Sequence, residues 1–201
     1  MAIVKPFKAV RPSRDKVALV SSKSYEAYTP AELGSKLDFN PFTFLHIIHP
    51  GYKHPQEISS EQRFQMVHDR YIEFKENGIF IKEDSPTFYV YESSDSLNSF
   101  CGIIAATAVD DYTNGHIKKH EGTIKKREQL FETYLKATGF NAEPVLLMYE
   151  DDVAFDNLLH TIKRERPEYE FSTTDKRLHR LWLVQDSENI EKITSFFNKK
   201  D

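Results

Sequence analysis

Apolar positions along this chain follow two periods, and the changes from one to the other mark out its elements. Phe64, Val67, Tyr71 and Phe74 fall on one stripe at spacings near the helical period. So do Val153, Phe155, Leu158, Leu159 and Ile162, and, near the C-terminal end, Ile190, Ile193, Phe196 and Phe197. Each set predicts a helix with one face turned to a core. A further helix of about four turns is predicted to end near Gly139, with Ile117, Ile124 and Phe131 at heptad spacing and Tyr134 and Leu135 extending that face. Alternating or continuous apolar runs predict strands at residues 3–10, 16–21, 43–48, 87–92, 99–109, 145–149 and 169–173 and at Leu178–Val184. Pro6 argues for an edge position or a bulge in the first of these.

Punctuation sharpens the pattern. Thr29-Pro30-Ala31-Glu32 combines a hydroxyl N-cap, proline at the first helical position and an acid at the third, and Ser59-Ser60-Glu61-Gln62 is a second such start. Asn77-Gly78 is a helix stop, Asp151 or Asp152 caps a later helix, and Asp186 or Ser187 opens the last. Residues 87–92 and 99–109 read as an antiparallel pair, and residues 169–173 with Leu178–Val184 as a second hairpin. Asp110, Asp111 and Tyr112 are expected to end the strand before them. The fold class is therefore α/β in the mixed, α+β sense, with a largely antiparallel sheet and packed helices. At 201 residues the chain fits one domain or two intertwined subdomains, divided roughly at residue 110.

Composition narrows the partners. The chain has 27 basic and 31 acidic residues, a net charge of -4, so no global field recruits nucleic acid or an anionic membrane. Lone Cys101 excludes an intramolecular disulfide framework and points to a reducing compartment. No apolar run reaches membrane-spanning length, and Lys5 and Pro6 interrupt the N-terminal stretch where a signal peptide needs apolar residues. A cytoplasmic protein without a membrane partner is expected, with a homodimer as one possible assembly.

The candidate chemistry concentrates in residues 102–127. An apolar segment runs through the turn residues Asp111, Thr113, Asn114 and Gly115 into His116, Lys118, Lys119, His120, Glu121, Thr123, Lys125, Lys126, Arg127 and Glu128. One reading is the solvated face of a helix, with Glu121 and Lys125 as an i,i+4 pair. The other is a site for an anion or for proton transfer: His120, Glu121 and Thr123 stand near a helix start, where unpaired N–H groups favour negative charge. A zinc pair from His116 and His120 needs helix where the turn signals oppose it and lacks a third ligand, so no metal is assigned. His46, His49 and His54 read as ordinary hydrogen-bonded histidines. Cys101 reads as a small buried hydrophobe and Trp182 as core. His179 and Arg180 form a second polar pair at a hairpin. No GxSxG, phosphate-binding GxxxxGK[ST] or GxGxxG is present.

Several ordered blocks carry a family resemblance: KPFKAVRP at the start, NPFTFLHIIHP at 40–50, YVYE near Tyr89, DDYTNGHIKKHEGT at 110–123, TGFNAEPVLLMY at 138–149 and LHRLWLV at Leu178–Val184. Over nearly all its length the chain resembles the N-terminal portion of domain-of-unknown-function family 1015. Longer members continue into an Asp-Gly-His-His-Arg motif similar to that of the ParB-like fold, which includes free-serine kinases and a domain of chromosome-partitioning proteins. The resemblance implies a ParB-like C-terminal half and a nucleotide- or phosphometabolite-binding, kinase-like protein. A nucleotide with magnesium would be its cofactor, and a small-molecule hydroxyl its acceptor. Phosphoryl transfer needs cations on the phosphates and a base on the hydroxyl. Lys118, Lys119, Lys126 and Arg127 would supply the cations, Glu121 the base and His120 its orientation, with Gly115, Thr123, Asp110 and Tyr112 completing the ligand site. Since this sequence stops where the Asp-Gly-His-His-Arg segment would begin, either a truncated form or a member that has lost the motif is expected, inactive as it stands. The implied alternative is a non-catalytic ParB-like module that binds DNA or protein. Nucleic acid is the less expected partner, because no basic stripe lies outside residues 118–127.

Overall fold

A computed structural model describes residues 2–50, 58–119, 122 and 124–199. The chain divides into two units interleaved in sequence, one made of residues 1–10, 82–122 and 144–201, the other of 11–81 and 123–143.

The first unit is built on a four-stranded antiparallel sheet, β4 (Phe88–Ser94), β5 (Ser99–Ile104), β7 (Tyr169–Ser172) and β8 (Leu178–Val184), in the order β5-β4-β8-β7. Both predicted hairpins form, and the sheet is closed by a long-range pairing of β4 with β8 that sets Phe88 against Val184, Val90 against Trp182 and Glu92 against Arg180. Because side chains alternate across a strand, these residues share one face. Helices α7 (Val153–Ile162) and α8 (Ser187–Phe197) bury Phe155, Leu159, Ile162 and Ile193 with Phe88, Val90, Trp182 and Val184 in a single cluster. Their starts are the expected ones: Asp152 accepts from the Ala154 and Phe155 N–H groups, and Asp186 from that of Asn189. The predicted first strand is broken at Pro6 into β1 (Val4–Lys5), paired with β6 (Ala106–Thr107), and β2 (Val10–Pro12), paired with β3 (Phe80–Lys82).

The second unit is mainly helical. Helices α2 (Pro30–Phe39) and α4 (Ser60–Glu76) begin in complete capping boxes, Thr29 with Glu32 and Ser59 with Gln62. Gly78 ends α4 at φ +67°, a conformation that favours glycine. Val67 and Phe74 of α4 are buried, and Phe74 and Tyr71 pack their rings near Phe80. Helix α6 (Lys125–Thr138) ends at Gly139, as expected, and meets α4 through an edge-to-face Phe64–Tyr134 contact and a 2.9 Å hydrogen bond between His68 Nδ1 and the Thr138 carbonyl.

Several expectations are corrected. Residues 16–21 and 43–48, predicted as strands, contain the short helices α1 (Val17–Val20) and α3 (Leu45–Ile48). A brief apolar run is compatible with either element, and what the pattern did fix was burial: Val17, Val20, Leu45 and Ile47 are all buried. Asp110, Asp111 and Tyr112 do not end a strand but lie on the helix α5 (Val109–Thr113). Residues 145–149 form no strand and are exposed. The predicted face of this helix is buried only in part: Ile124, Phe131 and Leu135 are exposed, while Tyr134 from the same face packs against α4, joined by Thr138.

Candidate functional site

The loop leading into the charge run is fixed from below by Asp111. This carboxylate is only 5% exposed. Its Oδ2 accepts the Ile3 N–H at 2.6 Å, its Oδ1 lies 3.2 Å from His116 Nδ1, and its own carbonyl accepts the Ile117 N–H at 2.9 Å. The Ile3 N–H holds the Asp111 carboxyl below the usual range; burial opposes that shift and His116 adds to it. Beside it, the Asn114 N–H donates to the Asp110 carbonyl at 2.7 Å, and Gly115 turns the chain at φ +79°. A Cβ on Gly115 would meet nothing within 4 Å, so glycine is required by the backbone angle and not by a close neighbour. Asp111, Gly115 and His116 therefore shape the loop. Asp110, Tyr112, Lys118 and Lys119 are left exposed, with Lys119 Nζ 4.4 Å from the centre of the Tyr112 ring.

Helix α6 then begins in an unusual way. Its N-cap is Ile124, which offers no side-chain acceptor, and its first turn carries Lys125, Lys126 and Arg127 with Glu128 as the acid. Cations at a helix N-terminus oppose the macrodipole and stand beside N–H groups that lack intrahelical partners. Lys118, Lys119, Lys125, Lys126 and Arg127 make no ion pair with a described residue. Elsewhere Arg70, Lys136, Lys163, Arg177, Arg180 and Lys192 are each paired to a carboxylate. Asp110, Tyr112, Gly115, Lys118 and Lys119 belong to the first unit, and Lys126 and Arg127 to the second. His120, Glu121 and Thr123 lie outside the described residues.

The family described as "Protein of unknown function (DUF1015)" matches residues 4–201, which include this loop. The chain belongs to that family. A comparison with curated proteins finds no match, and a comparison with solved structures finds none.

Two further polar clusters stand on the main sheet. The Tyr91 hydroxyl lies 2.6 Å from His179 Nδ1, His179 Nε2 is 3.1 Å from Thr173 Oγ1, and Thr173 Oγ1 donates to Asp175 at 2.5 Å. With the tautomer this arrangement assigns, Tyr91 donates to Nδ1 and Nε2–H donates to Thr173, so every donor in the chain points toward the carboxylate. Burial between the Tyr91 and Phe171 rings pushes the His179 pKa down, Arg177 adds to this and Asp175 opposes it. On the opposite face Glu92 bridges Lys163 at 2.7 Å and Arg180 at 3.3 Å, and Arg180 reaches Glu170 at 2.6 Å. Burial pushes the Glu92 carboxyl up, but the two cations outweigh it and leave it low. Cys101, cross-strand to Glu92, is exposed, contrary to its reading as a buried hydrophobe. Partial desolvation of its sulfur, on a residue otherwise open to solvent, and the nearby Glu92 and Asp156 carboxylates raise the thiol pKa despite Lys163, so it is no ready thiolate.

The second unit has a cleft of about 420 Å³ between Phe42 and Phe74, lined also by Asp15, Lys16, Arg70 and Glu73. Its charges neutralise one another, Lys16 with Asp15 and Arg70 with Glu73, so it offers no excess cation to a phosphate. Among the described residues no group of three His, Cys, Asp or Glu side chains could hold a metal, and no helix is long and apolar enough to cross a membrane.

Proposed function

We propose that this family member binds a phosphate-bearing small molecule, a nucleotide or phosphorylated metabolite, through the stretch from Asp110 to Arg127. Its reaction class is phosphorylation of a small-molecule hydroxyl. The observation that carries the reading is the start of α6: an isoleucine N-cap followed by three cations. Local rules favour the reverse charge there, and natural sequences depart from such rules chiefly where function requires it. A phosphate would accept from the N–H groups of the first turn and neutralise Lys126 and Arg127. Lys118 and Lys119, a few residues earlier in the chain, are exposed cations, and Tyr112 offers a ring and hydroxyl beside Lys119. Glu121 takes the proton of the acceptor hydroxyl as the hydroxyl oxygen bonds to the terminal phosphorus of the nucleoside triphosphate, the bond to the bridging oxygen breaks and the nucleoside diphosphate leaves; His120 orients Glu121. Asp110 and Gly115 belong to the same ligand-binding stretch.

Calorimetric titration with the magnesium salts of ATP, ADP and CTP, with and without serine, tests this. At least one nucleotide should bind, and Lys118→Ala/Lys119→Ala and Lys126→Ala/Arg127→Ala should each weaken it by tenfold or more. Glu121→Gln, which removes the proposed base and no phosphate contact, should retain nucleotide binding. Absence of heat with every nucleotide, or undiminished binding in both double variants, would sink the proposal. Duplex DNA at low salt should give a flat titration. Binding that falls steeply with salt would favour the DNA-binding alternative.

A further inference from the structure

Residues 145–149, Val-Leu-Leu-Met-Tyr, are chemically a strand and structurally not one. Five consecutive apolar residues of this kind suit a pleated, half-buried position. Yet Val145, Leu146 and Met148 are 82%, 86% and 90% exposed, and no backbone group from 144 to 151 bonds to the backbone of a described residue. Exposure alternates over the last four positions: Leu147 and Tyr149 are 43% and 39% exposed, while Leu146 and Met148 are almost bare. That is the period of an extended chain with one face leaning on protein and the other uncovered. The segment is anchored at Tyr149, whose ring packs edge-on against Phe155, Phe196 and Phe197 at 5.5 to 5.9 Å. A contiguous apolar stretch with its hydrogen-bonding groups open is a template for another strand.

We propose that residues 145–149 dock an extended strand from a partner polypeptide, with an apolar centre and Lys or Arg at its flanks. Charge decides the occupant. Glu143 precedes the segment, and Glu150, Asp151 and Asp152 follow it. Antiparallel pairing with a second copy would set Glu143 against Glu150, Asp151 or Asp152 in every register that matches the apolar centres, and parallel pairing in register sets like against like. Directly opposed like charges destabilise a strand pair, whereas opposite charges support it. A partner with cationic flanks satisfies both ends at once, and its main chain supplies the missing ladder as in other cases of strand addition.

The test pans the intact chain with a display library of random 12-residue peptides, then measures the enriched sequences as synthetic peptides. Enriched peptides should carry four or five apolar, β-branched or aromatic residues flanked by Lys or Arg. Leu146→Glu/Met148→Glu, at two solvent-facing positions, should weaken their binding at least tenfold without changing the melting of the chain. Amide exchange at 145–149 should slow at least tenfold in the complex. Failure to enrich such peptides, equal binding by the double variant or unchanged exchange would overturn the proposal. So would a dimer in sedimentation that the double variant abolishes, because a second copy would then occupy the segment.

Discussion

His179 is held between the rings of Tyr91 and Phe171 with both nitrogens used, so its neutral form is the one the fold accommodates. The sign follows from the direction of its shift. The unfolded chain takes up this proton at the ordinary value of about 6.5 and the folded chain only at lower pH. Between those two values the unfolded state holds more protons, so stability falls as pH falls through that window. His179→Gln should flatten this part of the profile and lower stability at pH 8, measured by urea unfolding at pH 5, 6, 7 and 8. Glu92 is a different case, a mostly buried carboxylate shared by two cations. Glu92→Gln leaves Lys163 and Arg180 without that charge and should destabilise by roughly 3 kcal/mol in the same assay. The sequence exposed only part of either cluster. His179 and Arg180 stood out as a polar pair, but Tyr91 lies 88 positions from His179 and Glu92 88 from Arg180, and a pairing that distant has no local signature.

Helix α6 raises the same question for an element. A helix N-terminus is ordinarily stabilised by an acceptor side chain and by acids in its first turn. Here Ile124 and three cations occupy those places, and Ile124 is 62% exposed, so replacing it removes little packing. Ile124→Asp should therefore raise stability by about 1 kcal/mol, read from urea unfolding. If the first turn holds a phosphate, the same substitution should weaken nucleotide binding several-fold, read by calorimetry. A gain in stability with binding unchanged would place the ligand elsewhere. Elements were legible where the signal was chemical: the capping boxes at Thr29 and Ser59, the caps at Asp152 and Asp186 and the glycines after α4 and α6 all fall as expected. They were not legible where it was only apolar, as at 16–21 and 43–48, because length and hydrophobicity alone do not separate a buried turn of helix from a short strand. Residues 145–149 differ again: their chemistry is that of a strand, but a strand exists only in a ladder.

For the molecule as a whole, the two hairpins were visible in the sequence, while the β4–β8 pairing that joins them was not. The units differ in where their perturbed acids sit. In the first, buried Asp111 is held low chiefly by the Ile3 N–H, half-buried Glu92 by Lys163 and Arg180, and half-buried Asp95 by the Leu97 and Asn98 N–H groups. In the second, the lowered carboxyls of Asp15, Glu32, Glu61 and Glu132 are exposed, and water and salt screen them. Each unit also carries a histidine kept neutral by burial, His179 in the first and His49, beside Arg63, in the second. Both units should therefore lose stability as pH falls below about 6.5. A lowered carboxyl contributes stability above its unfolded pKa and loses it as pH falls through the folded value. Below about pH 4 the first unit should consequently weaken more steeply than the second. Hydrogen exchange after incubation at stepped pH should show amides of β4 and β8 losing protection at higher pH than those of α4. Asp111→Asn should lower the first unit's protection at neutral pH and flatten its slope below pH 4, with the α4 amides unchanged. Parallel loss in both units, or an unaltered slope in the variant, would place the acid-sensitive groups elsewhere.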